Sequence, residues 1–270
     1  ANNTTADNNT AVGRRALLAN TTGTNNVAIG ANALDAVTTA NNNIAVGLDA
    51  LSGSAGNQNV AIGTDGQKVS TAADNTSVGY LALAANTTGV QNVAVGSKAG
   101  DAITTGNNNT AVGMDALSGA TTASSNTAIG YGALYGTSTG AANTAVGILA
   151  LASNVTGASN TAVGAAALDA NTTGAENTAI GKDALGAQTT GGSNTAAGLS
   201  ALAANTTGEQ NVGVGNFALA ANTTANFNVA IGNNSLDANT TGANNTGVGK
   251  NALGANTTGS ENTTVGHSSL

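Results

Sequence analysis

The 270-residue sequence contains no Cys, no Pro and no Trp. Without Cys, thiol catalysis, disulfides and Cys-ligated zinc are excluded. Aromatic residues make up 2% of the chain and charged residues 7%, where an ordinary globular domain is about 25% charged. There is a single His, His267. No run approaches the roughly 18 apolar residues of a membrane span, and no charged segment followed by an apolar stretch reads as a targeting peptide. Six Lys+Arg against thirteen Asp+Glu give a net charge of −7. That balance argues against nucleic acid and against anionic membrane surfaces, both of which are bound through basic residues. The basic residues Arg14, Arg15, Lys68, Lys98, Lys182 and Lys250 are scattered rather than clustered. The chain is nonetheless 40% hydrophobic and too regular to read as disordered.

What is present is one repeat. An Asn opens each copy, at Asn9, Asn26, Asn43, Asn59, Asn75, Asn92, Asn109, Asn126, Asn143, Asn160, Asn177, Asn194, Asn211, Asn228, Asn245 and Asn262, and a Gly follows four residues later every time. The step is 17 residues, except for two steps of 16 near Gly63. The clearest copy, Asn160 to Glu176, reads N-T-A-V-G-A-A-A-L-D-A-N-T-T-G-A-E. Residues 1–270 therefore form a single repeat domain. Counting the Asn as position 1, Leu270 falls at position 9 and Ala1 at position 10, so the last residue leads in register into the first. Neither end carries the atypical polar repeat that caps a solenoid. The expectation is a window on a longer fibre, or a unit that stacks head to tail.

Within the repeat, position 2 is always Thr, Val or Ile, and position 4 is Val or Ile in every copy but Ala197. β-Branched residues at period 2 predict a short strand. Position 9 is Leu in fourteen copies, with Gln67 and Gly100 the exceptions, and predicts a second short strand. Asn-Thr-Thr-Gly at positions 12–15 has turn chemistry. The few residues between the corners are too few for a stable helix. One coil cannot bury a face alone, so coils must stack like on like. The fold class is all-β: a parallel β-solenoid, or β-roll, of sixteen coils. In such a stack the position-1 Asn residues form a hydrogen-bonded column, as in cross-β ladders.

Alternation puts position 3 on the face opposite position 4. With position 4 assigned inward, position 3 faces out, yet it is only Ala, Gly, Ser or Thr. A strip restricted to small residues (Ala11, Ala28, Ala45, Ala94, Ala111, Ala128, Ala145, Ala162 and Ala179) predicts close packing against another copy of the chain.

Arrays of N-T-A-V-G-x-x-A-L-x-x-N-T-T-G with A-[VI]-G closing a short strand resemble the head repeats of YadA-type trimeric autotransporter adhesins and the repeats of phage tail fibres. The resemblance covers the whole chain, although the period here is longer than in the adhesin heads. It implies a left-handed β-roll, three chains side by side, and an adhesive or spacer role outside the cell or on a virion. It also places Val12, Ile29 and Val46 at the family's inward apolar position and Gly13, Gly30 and Gly47 at its turn glycine.

No constellation of catalytic residues stands out. His267-Ser268-Ser269 has no carboxylate partner in sequence, and the Asp residues at positions 7 and 10 recur too irregularly for a calcium roll. The expectation is therefore a non-enzymatic, extracellular, cell-surface or virion fibre with no cofactor or metal. Its partners would be itself, as a homotrimer or an end-to-end filament, and a host or cell-surface receptor or glycan, with no nucleic acid and no membrane insertion. Tyr80, Tyr131, Tyr135, Phe217 and Phe227 are the candidate contact aromatics. A single-chain solenoid that binds ice or another surface through its Thr-Thr pairs is the alternative. Asn20, Asn86, Asn171, Asn205, Asn222, Asn239 and Asn256 are formal N-x-[ST] glycan acceptors at one corner; in a bacterial or phage setting they read as plain turn residues, the preferred reading.

Overall fold

The computed structural model describes residues 4–269; Leu270, which the repeat places at position 9, lies outside them. The chain divides into two compact units between Thr139 and Gly140. The first carries eight three-residue strands, β1 (Thr10–Val12) to β8 (Thr127–Ile129). The second carries eight more, β9 (Thr144–Val146) to β16 (Thr263–Val265), among them β10 (Thr161–Val163) and β11 (Thr178–Ile180). Within each unit every strand pairs in parallel with the next in sequence, in the register the repeat dictates: Thr161 opposite Thr178, Ala162 opposite Ala179, Val163 opposite Ile180. There is no helix among the described residues. Each unit is an all-β parallel β-solenoid.

The strand occupies positions 2–4 only. Hydrogen bonds between coils nevertheless continue around the turn. In the coil Asn160–Glu176, the Thr161 N–H donates to the Asn177 carbonyl at 2.8 Å, Leu168 to Ala184 at 3.0 Å and Thr172 to Thr189 at 2.9 Å, all in the following coil. Gly164 donates back to Val146 at 2.8 Å, Ala166 to Ile148 at 3.0 Å and Glu176 to Ala158 at 3.0 Å. The backbone thus bonds to both neighbours without remaining extended.

The second strand predicted around position 9 does not form. Positions 7 and 9 are left-handed instead: Ala166 and Leu168 both have φ +53°. Reversing the hand at alternate residues turns successive N–H groups toward opposite neighbours, as a strand would, while the chain curves. A left-handed L-residue costs roughly 1–2 kcal/mol. Full burial of a Leu side chain returns about 1.5–3 kcal/mol, and Leu168 is fully buried. Asn and Asp tolerate this conformation best, which accounts for Asn32, Asp49, Asp65, Asp115, Asp183, Asn234 and Asn251 at position 7, all with positive φ.

Position 5 is Gly because both backbone and space require it. At Gly164 φ is +139°, and an added Cβ would lie 2.5 Å from the carbonyl oxygen of Gly181 in the next coil.

The interior is narrow. It is filled by Leu at position 9, Ala at positions 3 and 8, and Asn at positions 1 and 12. This reverses the predicted facing of the strand. The small-residue strip Ala28, Ala45, Ala94, Ala111, Ala128, Ala145, Ala162 and Ala179 lies inside its own coil, essentially inaccessible to solvent, and only Ala11 in β1 is exposed. Val and Ile at position 4 point outward instead. The reason is distance across the coil. At Gly213 an added Cβ would sit 3.2 Å from the Ala218 carbonyl oxygen and 3.3 Å from Leu202 Cγ. An added methyl is already in tight contact there.

Candidate functional site

Two asparagine files line the interior. At position 1, the Asn177 carboxamide oxygen accepts the Asn194 backbone N–H at 3.0 Å and Asn194 Nδ2 at 3.1 Å. Asn194 Nδ2 also donates to the Gly208 carbonyl of its own coil at 2.8 Å. The other position-1 asparagines from Asn26 to Asn245 are likewise buried, while Asn9 and Asn262 are half-buried. The second file was not foreseen from the sequence. Asn154, Asn171, Asn205, Asn222 and Asn239 at position 12 are buried and point inward. Asn171 Nδ2 donates to Asn154 Oδ1 at 3.0 Å and to the Gly174 carbonyl at 3.0 Å. Asn160 Nδ2, from position 1 of the same coil, reaches that carbonyl at 2.9 Å, so both files close on one acceptor. The Nδ2 donors committed in this way brace the corner from inside, while the Oδ1 atoms of Asn20 and Asn171 accept no hydrogen bond. The Asn-x-[ST] corner is therefore not the surface array its sequence suggested. A position-12 Leu would have signalled a core site directly; Val37 and Ile103, both buried there, were the available clue.

Gln67 is the polar exception in the Leu column. It is buried, with Nε2 donating to the Val60 carbonyl at 2.8 Å and to Ser77 Oγ at 3.2 Å.

The outer surface separates into sides of different chemistry. On the sheet side, positions 2 and 4 form two files of Thr, Val and Ile, interrupted once by Ala197 and never by a charge. Position 4 is open to solvent, with Val163 36% and Ile180 47% exposed. Beyond the glycine corner, Tyr80, Met114, Tyr131, Ile148 and Leu199 at position 6 are also exposed. At the opposite corner, Thr172 Oγ1 at position 13 donates to the Thr189 carbonyl at 3.1 Å, while Thr173 at position 14 faces solvent.

The candidate aromatics are all exposed but are not brought together. Tyr80 and Tyr131 share position 6 three coils apart, Tyr135 is at position 10, Phe217 at position 7 and Phe227 at position 17.

Charged groups are sparse. Lys68 Nζ lies 2.8 Å from Asp65 and 3.6 Å from Asp49; the hydrogen bond and charge of Asp65 hold it above the ordinary lysine range. Arg15 pairs with Asp35 at 3.4 Å. Partial burial, reinforced by the charge of Asp183, raises the Asp169 carboxyl above its usual range. His267 and Ser268 are exposed. A shallow hollow lined by Asn234, Asp237, Asn251, Gly254, Ala255 and Ser268 holds one carboxylate. Among the described residues no three His, Asp or Glu side chains cluster in a way that could hold a metal ion, and no helix is long and apolar enough to cross a membrane. No protein-family model matches the chain, and no curated protein matches it.

Proposed function

We propose that this chain forms an extracellular or virion-surface structural fibre, an adhesive or spacer shaft without catalysis, assembled as a homotrimer. The observation that carries the proposal is the sheet side. Positions that merely face solvent, such as position 10, vary freely among Leu18, Asp35, Lys68 and Tyr135. Position 4 is equally open, yet in every coil it is a β-branched or small apolar residue. An exposed surface held to uncharged, apolar, in-register side chains over eight successive coils per unit is suited to being covered. A second copy presents the same columns at the same spacing, and so matches it along its full length. Three chains meeting at one axis, with left-handed coils, is the arrangement implied by the resemblance to adhesin heads and tail fibres. Positions 2 and 4, not the buried position-3 alanines, thus supply the self-association surface. The binding surface would be the outward corners, where Tyr135, Phe217 and Phe227 offer contacts to a receptor or glycan.

Sedimentation equilibrium tests this. The expected mass is three times the 25.4 kDa of one chain. A chain that stays monomeric at tens of micromolar refutes the trimer.

One observation favours the alternative, a single-chain solenoid that binds ice or another ordered surface. In the second unit, position 14 is Thr in seven successive coils from Thr156 to Thr258, all exposed. An ice-recrystallisation assay on a monomeric form decides for or against it.

A further inference from the structure

The Asn-x-Thr sequences remain unexplained by a shaft, and their placement has a consequence independent of oligomeric state. Asparagine-linked glycosylation joins a bulky, hydrated sugar to Nδ2 and needs that atom on the surface. At seven of the eight position-12 acceptors it is not there; Asn256 is half-buried, with Nδ2 donating to Asn239 Oδ1 at 3.0 Å. Asn86, Asn171, Asn205, Asn222 and Asn239 are inaccessible to solvent. Their Nδ2 atoms are committed inside: Asn222 donates to Asn205 Oδ1 at 2.9 Å and to the Ala225 carbonyl at 3.1 Å. Asn154-Val155-Thr156 is a further acceptor sequence of this class, and Asn75-Thr76-Ser77 and Asn262-Thr263-Thr264 place two at position 1; Asn154 and Asn75 are buried, and Asn262 is half-buried with Nδ2 donating to Asn245 Oδ1 at 3.0 Å. Four acceptor sequences have their Asn outside: Asn8-Asn9-Thr10, Asn108-Asn109-Thr110 and Asn244-Asn245-Thr246 at position 17, and Asn233-Asn234-Ser235 at position 6.

We infer that the glycan acceptors compatible with this fold are the exposed Asn8, Asn108, Asn233 and Asn244, and that sugar on a buried position-12 Asn prevents its coil from closing. In the transfer, Asn Nδ2 bonds to the anomeric carbon of a lipid-diphosphate-linked oligosaccharide. The carbon–oxygen bond to the diphosphate breaks, the lipid diphosphate leaves with the bonding pair, and Nδ2 gives up one proton. Nδ2 then keeps one hydrogen where the file uses two donations, and a sugar occupies the space of the Leu and Ala columns. Because transfer acts on unfolded chain, a host that carries it out modifies position 12 before the coil can protect it.

The test is secretion of the full chain from yeast, with and without tunicamycin, followed by glycopeptide mass spectrometry of the soluble, protease-resistant fraction. Sugar is expected on the four exposed asparagines and absent from the buried position-12 asparagines, whose glycopeptides are confined to the retained or aggregated chain. A second form replaces by Ala the eight position-14 threonines that complete a position-12 acceptor sequence: Thr22, Thr88, Thr156, Thr173, Thr207, Thr224, Thr241 and Thr258. These side chains are exposed, so the acceptor sequence is lost while the buried Asn stays. Secreted, folded yield should rise at least several-fold. Sugar on a buried position-12 Asn in the folded fraction, an unchanged yield, or four empty exposed acceptors in a host that modifies a control protein would each overturn the inference.

Discussion

Two adjacent substitutions, Ala179→Lys and Ile180→Lys, separate the coil's interior from its outer face. Ala179 is fully buried against the Leu column. A lysine there must either bury its ammonium unpaired, at about 3–5 kcal/mol for an uncompensated charge, or open the coil. Expected is a large loss of thermal stability in any oligomeric state. Ile180 is 47% exposed, so a covering copy recovers about half of the roughly 1.5–3 kcal/mol for a full isoleucine, or about 1 kcal/mol. Over the eight position-4 residues of one unit that sums to at most about 8 kcal/mol per unit, which is of the size needed against an association cost of about 4–15 kcal/mol. A lysine at this site forgoes the apolar gain and sets like charges side by side, which costs several kcal/mol. The total of about 3 kcal/mol or more corresponds to at least roughly 100-fold weaker assembly. Sedimentation and circular dichroism together read the result: Ile180→Lys keeps the monomer's fold and loses the trimer, with partial recovery at high salt. A trimer of unchanged affinity carrying Ile180→Lys, or a stable Ala179→Lys coil, refutes the reasoning.

Three further outcomes follow from single sites. Asn177→Ala removes the partner of the buried Asn194 N–H and Nδ2; at about 1–3 kcal/mol per orphaned group, chemical denaturation should show a loss of roughly 2–5 kcal/mol. Gly164→Ala, at φ +139° with the Gly181 carbonyl in the way, should cost at least about 3 kcal/mol and remove hydrogen-exchange protection from the coils on either side. Asp169 has a raised folded pKa, so its ionisation favours the unfolded chain. That penalty is absent below about pH 4, the unfolded Asp value, and grows as pH rises toward the folded pKa. Asp169→Asn should therefore melt higher than the parent at pH 7 and no higher at pH 3.

The coil, its register and its parallel pairing follow from the repeat alone, because equal repeats can satisfy their backbones only by stacking like on like. So do the glycine corner and the position-1 asparagine file, which no other residue type fills in any copy. The faces of the strand were decided by the tertiary structure. Period-2 alternation separates Ala162 from Val163 but does not say which is inside, and the larger residue is the natural guess for the core. The opposite holds because the interior is only wide enough for Ala opposite Leu168, a constraint set by how the rest of the coil closes. The same closure took Leu168 out of a strand and into a left-handed turn, at a cost its burial offsets. It also turned Asn171 inward, although Asn-Thr-Thr-Gly is common turn chemistry at the surface. Local pattern fixed where the chain bends; only the closed cross-section fixed what each bend encloses.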